Sequence, residues 1–204
     1  TLDRSSAASD VYKRQIITLF QKIDLFMSQS SVLVIFPNQL FKNHPGIKSG
    51  IKKIILIEDS LFFGDFTYQN NFHKQKLWLH RASMKNYASW LENKGFEVSY
   101  EEHSINTDVL LKLLKKLKSE KNLNIITCET HDYELNQRLN NHVRQLSLEL
   151  DVLPSPMFLN CNEENSKYRD GKKRWFMADF YKFQRRRLNL LMDGDQPLGG
   201  KWSY

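Results

Sequence analysis

The chain is 204 residues long, 41% hydrophobic and 12% aromatic, enough for one domain with a real core. A formal charge of +7 and an isoelectric point near 9.3 permit a polyanionic partner without requiring one. Cys128 and Cys161 stand alone and cannot build a zinc or iron–sulfur site between them or a secreted disulfide framework; no apolar run reaches membrane-spanning length, so no membrane partner and a cytoplasmic setting are expected.

The chain opens with TLDRSSAASDVYKRQ, which has no hydrophobic period. IITLFQKIDLF follows, interrupted by Gln21, Lys22 and Asp24, and makes a poor signal-peptide core. Met27 stands directly before SQSSVLVIF. Residues 1–26 therefore read as a non-native or upstream-translated extension, or as a native disordered or helical arm, and the fold is expected to begin after them.

Ser31–Phe36 (SVLVIF) is a continuous apolar run that suits a strand buried on both faces, and Pro37 with Asn38 ends it. A loop through HPGIKSG leads to a second run, Lys53–Glu58. An amphipathic segment from about Asn70 to Lys94 closes at Gly95, a helix C-cap by type. Phe96–Tyr100 is predicted as a third strand. Asp108–Ser119 sets leucines at helical spacing against lysines. Leu123–Cys128 is the fourth strand, Asp132–Leu150 a helix and Asp151–Pro154 a short fifth strand.

Strands alternating with helices predict an α/β fold: a Rossmann-like, parallel five-stranded sheet with helices on both faces and right-handed crossovers. Ligands of such sheets bind outside the carboxyl ends of the strands, here Pro37–Gln39, Glu58–Ser60, Glu101–His103 and Glu129–His131. No GxGxxG or GxxxxGK follows any strand, so neither a dinucleotide fingerprint nor a P-loop is present. The α/β domain is expected over residues 27–160. A basic, aromatic helical segment is expected over 161–192 and packed on that domain, its helix running from Lys172 to Met192. DGDQPLGG then reads as a connector within 193–204, and the chain as truncated after it.

FHKQKLWLHRASM, residues 72–84, concentrates histidines and cations. His73 and His80 are spaced i, i+7, which is not the i, i+4 arrangement of a zinc helix, so no metal site is expected. Facing the sheet as packed histidines and lining a pocket both remain open for them. The cations near the helix start oppose its dipole, which points to a nearby acid such as Glu58 or Asp65. Glu58 itself reads equally as a loop or capping acid and as a pocket acceptor. No nucleophile elbow accompanies it, and no catalytic residue is assigned. Lys172, Lys173, Arg174, Arg185, Arg186 and Arg187 lie among dense aromatics. They suit a solvated helix face, a seam to another domain or contacts to nucleic-acid phosphate; the aromatics favour the seam.

PNQLF, LIEDSLFF, FHKQKLWLHRASM, SPMFL and KRWFMADFYKFQRRRLNLLMDGDQPLGGKWSY together resemble the photolyase-related branch of the cryptochrome/photolyase family, close to iron–sulfur bacterial cryptochromes and (6-4) photolyases. The resemblance runs from about Ser31 to Tyr204. It implies the N-terminal antenna domain of a flavoprotein acting in light-dependent DNA repair or blue-light sensing. Its partner would be its own C-terminal helical domain, which carries FAD and a 4Fe-4S cluster, with DNA bound by the full-length protein. The N-terminal part alone would be inactive. The resemblance further implies a lumazine-type antenna near Asn38, Gln39, Glu58, His73, Lys74 and His80. The alternative is a stand-alone nucleotide- or nucleic-acid-binding α/β module without photochemistry.

Overall fold

A computed structural model describes residues 30–49, 51–64, 72–120 and 123–202. The extension over residues 1–26 and the acid Asp65 lie outside the described residues. The chain divides into two compact units, residues 1–157 and 158–204.

The first unit carries five strands: β1 (Ser30–Ile35), β2 (Lys53–Ile57), β3 (Glu97–Glu101), β4 (Leu123–Cys128) and β5 (Leu150–Leu153). All pair in parallel in the order β3-β2-β1-β4-β5, the doubly wound arrangement expected from the sequence. β1 lies at the centre, Leu33 facing Ile54 on one side and Ile126 on the other.

Alternation along β1 explains the two layers of core, because successive side chains of a strand leave on opposite faces. Val32, Val34 and Phe36 enter one cluster, closed by Leu110, Leu113 and Leu117 of α3 (Val109–Lys118) and by Leu135 and Leu139 of α4 (Tyr133–Leu146). Leu33 and Ile35 enter the other, closed by Met84, Tyr87, Ala88 and Leu91 of α2 (Lys74–Glu92), with Phe63 from the single turn α1 (Ser60–Phe63). Strands apolar on both faces thus require helices on both faces. Truncating a side chain such as Leu113, 1% exposed, would cost about 2–5 kcal/mol.

Caps fix where the helices begin. Asp108 Oδ1 accepts the Leu111 N–H and Asp132 Oδ1 the Leu135 N–H, each at 2.9 Å, satisfying donors a helix start leaves orphaned. His142 of α4 reaches Asp108 Oδ2 at 2.7 Å and ties the two helices. α4 ends four residues before the predicted limit, because Ser147 turns left-handed (φ 51°) and releases the chain into β5.

The β1–β2 crossover holds only a 3-10 turn, Pro45–Ser49, instead of a full helix. Backbone lies too close to the sheet there for anything bulkier. A Cβ on Gly46 would stand 2.6 Å from Leu33 Cδ1. The segment is held by the Tyr87 hydroxyl donating to Phe41 O at 2.8 Å, and by the Gly46 N–H donating to His44 Nδ1 at 3.1 Å.

The second unit holds α5 (Asn162–Arg169), α6 (Met177–Leu188) and a hairpin of β6 (Met192–Asp193) with β7 (Gln196–Pro197), ending in a 3-10 turn, Leu198–Gly200. The single helix predicted from Lys172 to Met192 is shorter. It spans Met177–Leu188, starting after Phe176, whose backbone is extended, and Asn189 (φ 52°) caps its end. The stretch read as a connector carries this hairpin and turn. Tyr168 of α5 packs on Phe180 and Phe183 of α6, with ring centroids 5.0 and 4.7 Å apart.

Candidate functional site at the carboxyl edge of the sheet

The chain leaves β1 toward β2 and β3 on one side and returns to β4 beside β1, so strand order reverses between β1 and β4. At that point the loops after the two strands are stitched together. Gln39 is 1% exposed; its Nε2 donates to Cys128 O at 2.8 Å and to Glu129 O at 3.3 Å, and its Oε1 accepts the Phe36 N–H at 3.1 Å. Asn38 Nδ2 donates to Thr130 O at 3.0 Å, while its Oδ1 is buried without a partner among the described residues. A buried acceptor left unmade costs about 1–3 kcal/mol, so this oxygen marks a place where a donor is wanted. Beside it His131, in the left-handed region (φ 52°), brings Nε2 to 3.6 Å from Glu129 Oε2. A non-glycine residue held there by strand and helix on either side is the kind of strain that collects at binding sites.

A second cluster lies at the ends of β2 and β3. Glu58 is 0% exposed and accepts from four donors: Arg81 Nε at 2.6 Å, Arg81 Nη2 at 2.5 Å, the Tyr100 hydroxyl at 2.7 Å and the His103 N–H at 2.9 Å. Burial pushes its pKa up, but the bonds from Arg81, His103 and Tyr100 together outweigh burial and hold the carboxyl below the usual range. The same burial and carboxylate drive the Tyr100 phenol far above its ordinary value. Of the helix cations Lys74, Lys76 and Arg81, for which the sequence pointed to an acid such as Glu58, Arg81 is the one that pairs with it. Phe63 and His103 stack at 5.8 Å, and His80 meets Phe62 edge-on at 5.7 Å. Burial, then the charge of Lys76, lowers the His80 pKa and keeps that imidazole neutral.

A third contact closes the edge. Asp59, 1% exposed, caps α1 by accepting the Leu61 N–H at 2.9 Å and pairs with Arg138 of α4, whose Nη1 donates to Ser60 Oγ at 2.7 Å.

The predicted antenna residues therefore part into groups. Asn38 and Gln39 lie at the β1–β4 reversal, and Glu58 with half-buried His80 at the β2–β3 end. His73 and Lys74 are exposed at the start of α2, where His73 Nδ1 accepts the Gln75 N–H at 3.3 Å as an N-cap. Among the described residues no three His, Cys, Asp or Glu side chains gather where they could hold a metal ion, and no helix is long and apolar enough to cross a membrane.

The six cations singled out from the sequence in the second unit also divide. Arg185 is 6% exposed, with its guanidinium spent on backbone: Nε donates to Leu190 O at 3.1 Å, Nη1 to Trp202 O at 3.2 Å and Nη2 to Leu191 O. Arg187 pairs with Glu164 at 2.6 Å and also donates to Leu159 O. Arg186 stands 4.5 Å over the Trp202 ring, and Lys172 3.3 Å over the Tyr168 ring. Lys172, Lys173, Arg174 and Arg186 are exposed.

A doubly wound parallel sheet with helices on both faces defines an α/β domain of the Rossmann-like class. Residues 33–204 match the deoxyribodipyrimidine photo-lyase-related proteins, and the chain belongs to that family. It is 33% identical over 180 residues to the uncharacterized protein R852 of Acanthamoeba polyphaga mimivirus, covering 85% of this chain and 91% of the viral one. It is also 24% identical over 138 residues to a (6-4) photolyase of Agrobacterium fabrum, covering 65% of this chain and 27% of that enzyme. The chain thus spans about a quarter of the photolyase.

Proposed function

We propose that this chain is the antenna-chromophore domain of a photolyase-related flavoprotein, binding a lumazine-type aromatic ring at the β1–β4 reversal and passing its excitation to a flavin carried elsewhere. The observation that carries the reading is the buried, unpartnered Asn38 Oδ1 at the point where doubly wound sheets take ligands. A pteridine-type ring offers N–H donors that would satisfy it, and the residues there fit such a group. Asn38 would accept from the ring edge, and His131 and Glu129 would face its polar rim. Gln39 would act as a positioning residue, since its own bonds are already made. Glu58 would shape the pocket wall in the same indirect way, because all four of its bonds go to protein donors.

When bound, the chromophore would supply light absorption; the chain's part is to hold the ring rigid and dry. DNA repair or light sensing, FAD and the iron–sulfur cluster would belong to a protein in which this domain is joined to a helical flavin domain. Titrating the chain with a ribityl lumazine and following fluorescence anisotropy tests the reading. Wild type is expected to bind saturably, Asn38→Ala at least tenfold more weakly, and His73→Ala as wild type. Absence of saturable binding by the wild-type chain, or equal binding by Asn38→Ala, refutes it.

A further inference from the structure

The second unit carries ten Lys and Arg side chains against six Asp and Glu, and their placement is uneven. A groove of about 720 Å³ is lined by the cations Lys172, Lys182 and Arg186, by Tyr168 and Phe183, and by the acids Asp170 and Asp179. That volume lies within the range of about 300–1,000 Å³ common to ligand clefts. Lys167 and Arg187 also reach this groove, but Glu163 and Glu164 pair with them. Lys172, Lys182 and Arg186 form no ion pair among the described residues, so their charge is available to an outside anion. Each instead lies by an aromatic ring: Lys172 over Tyr168 at 3.3 Å, Lys182 and Arg186 by Trp202 at 6.0 and 4.5 Å.

Tyr168 is a shared wall. It also lines a cavity of about 440 Å³ with Arg169, Trp175, Phe176, Met177 and Phe180; Arg169 stands 4.7 Å from the Trp175 ring, and Trp175 and Phe176 are still 60% and 58% exposed. Unpaired cations along one groove and accessible aromatic rings across a common wall form the combination that grips single-stranded nucleic acid. Phosphates track the cations while unpaired bases stack on the rings. A duplex keeps its bases stacked on one another and cannot use the rings.

We propose that this face of the second unit binds single-stranded nucleic acid, with Lys172, Lys182 and Arg186 on the phosphates and Trp175 and Phe176 as stacking platforms. The site goes beyond the antenna reading and does not depend on it, since it needs neither chromophore nor flavin.

The test is fluorescence anisotropy of a labelled oligothymidine about twelve nucleotides long with the full chain, at several salt concentrations. Three phosphate contacts predict a slope of log affinity on log salt of about −2 for a single strand. Combining Lys172→Gln, Lys182→Gln and Arg186→Gln is expected to weaken binding at least tenfold and abolish most of the slope. Lys112→Gln, Lys115→Gln and Lys118→Gln remove the same charge from the exposed side of α3 and should change affinity less than threefold. Trp175→Leu should weaken binding while leaving the slope intact. Near-UV circular dichroism, matched to wild type, confirms that each variant is folded. The proposal is overturned if the wild-type chain does not bind, if both triple variants lose affinity equally, or if a duplex or anionic vesicles bind as tightly as the oligothymidine.

Discussion

Acidifying the protein titrates a histidine that the fold keeps neutral. His44 is 0% exposed. Its Nδ1 accepts the Gly46 N–H at 3.1 Å, so a proton on that nitrogen would face the Gly46 N–H donor, and Nε2 is buried with no partner among the described residues to share a charge. Burial accordingly pushes its pKa from 6.5 down to about 4. The linkage has a definite sign: below pH 6.5 the unfolded chain binds the proton and the folded chain does not, so stability falls with pH until the folded group also titrates. Complete titration costs about 3 kcal/mol, at about 1.4 kcal/mol per unit of separation. The perturbation is His44→Asn, which keeps an acceptor near the Gly46 N–H and cannot charge. Urea unfolding of both proteins at pH 7 and pH 4.5 reads the effect, because carboxylates shared by the two cancel in the difference. The stability of wild type relative to the variant should drop by about 2 kcal/mol between those pH values. A difference constant across the range would show that His44 is hydrated or protonated in the folded protein and refute the reasoning.

Removing one partner of the Glu58 cluster should cost more than its surface position implies. Arg81→Met leaves the buried Glu58 carboxylate with only the Tyr100 and His103 donors and, with Arg81 itself half exposed, is expected to lose about 1–3 kcal/mol in urea unfolding. Its acid-unfolding midpoint should move up, since the bonds that hold Glu58 below the usual carboxylate range stabilise the fold at neutral pH and fail as that group protonates. Arg185→Lys, which cannot reach three backbone carbonyls at once, should destabilise the second unit by about 2 kcal/mol and expose the hairpin to limited proteolysis. Thiol labelling should separate the cysteines: half-buried Cys161 reacts in the native protein, whereas Cys128, buried and with its thiol pKa raised by burial, waits for unfolding.

The layout of the sheet was legible because it rests on local composition. SVLVIF, KIILI and LNIITC are apolar on both faces, and only a sheet covered on both sides accepts such strands. Position after a strand also sufficed to bring Asn38, Gln39 and Glu58 to the carboxyl edge. What each side chain does there was not legible. Whether Glu58 is an open acceptor or a saturated anchor depends on Arg81, Tyr100 and His103, residues 23 to 45 positions away with no spacing that announces them. His73 and His80 shared a stripe by periodicity, yet His73 lies at the cap, where the helix has not begun and its face has no meaning. Arg185, Arg186 and Arg187 are identical letters in a row. Helical rotation sends the first inward to carbonyls, the second to Trp202 and the third to Glu164.

The central place of β1 also bears on how the chain is made. Its residues Ser30–Val34 pair with Leu123–Thr127, about ninety positions later. A ribosome delivers this central strand first and its second neighbour only after some ninety further residues have been added. During that interval one edge of β1 is a bare row of amide and carbonyl groups flanked by Val, Leu and Ile, a template for pairing with another nascent chain. The closing of the sheet at the β1–β4 reversal therefore both forms the candidate site and ends the most aggregation-prone stage of synthesis.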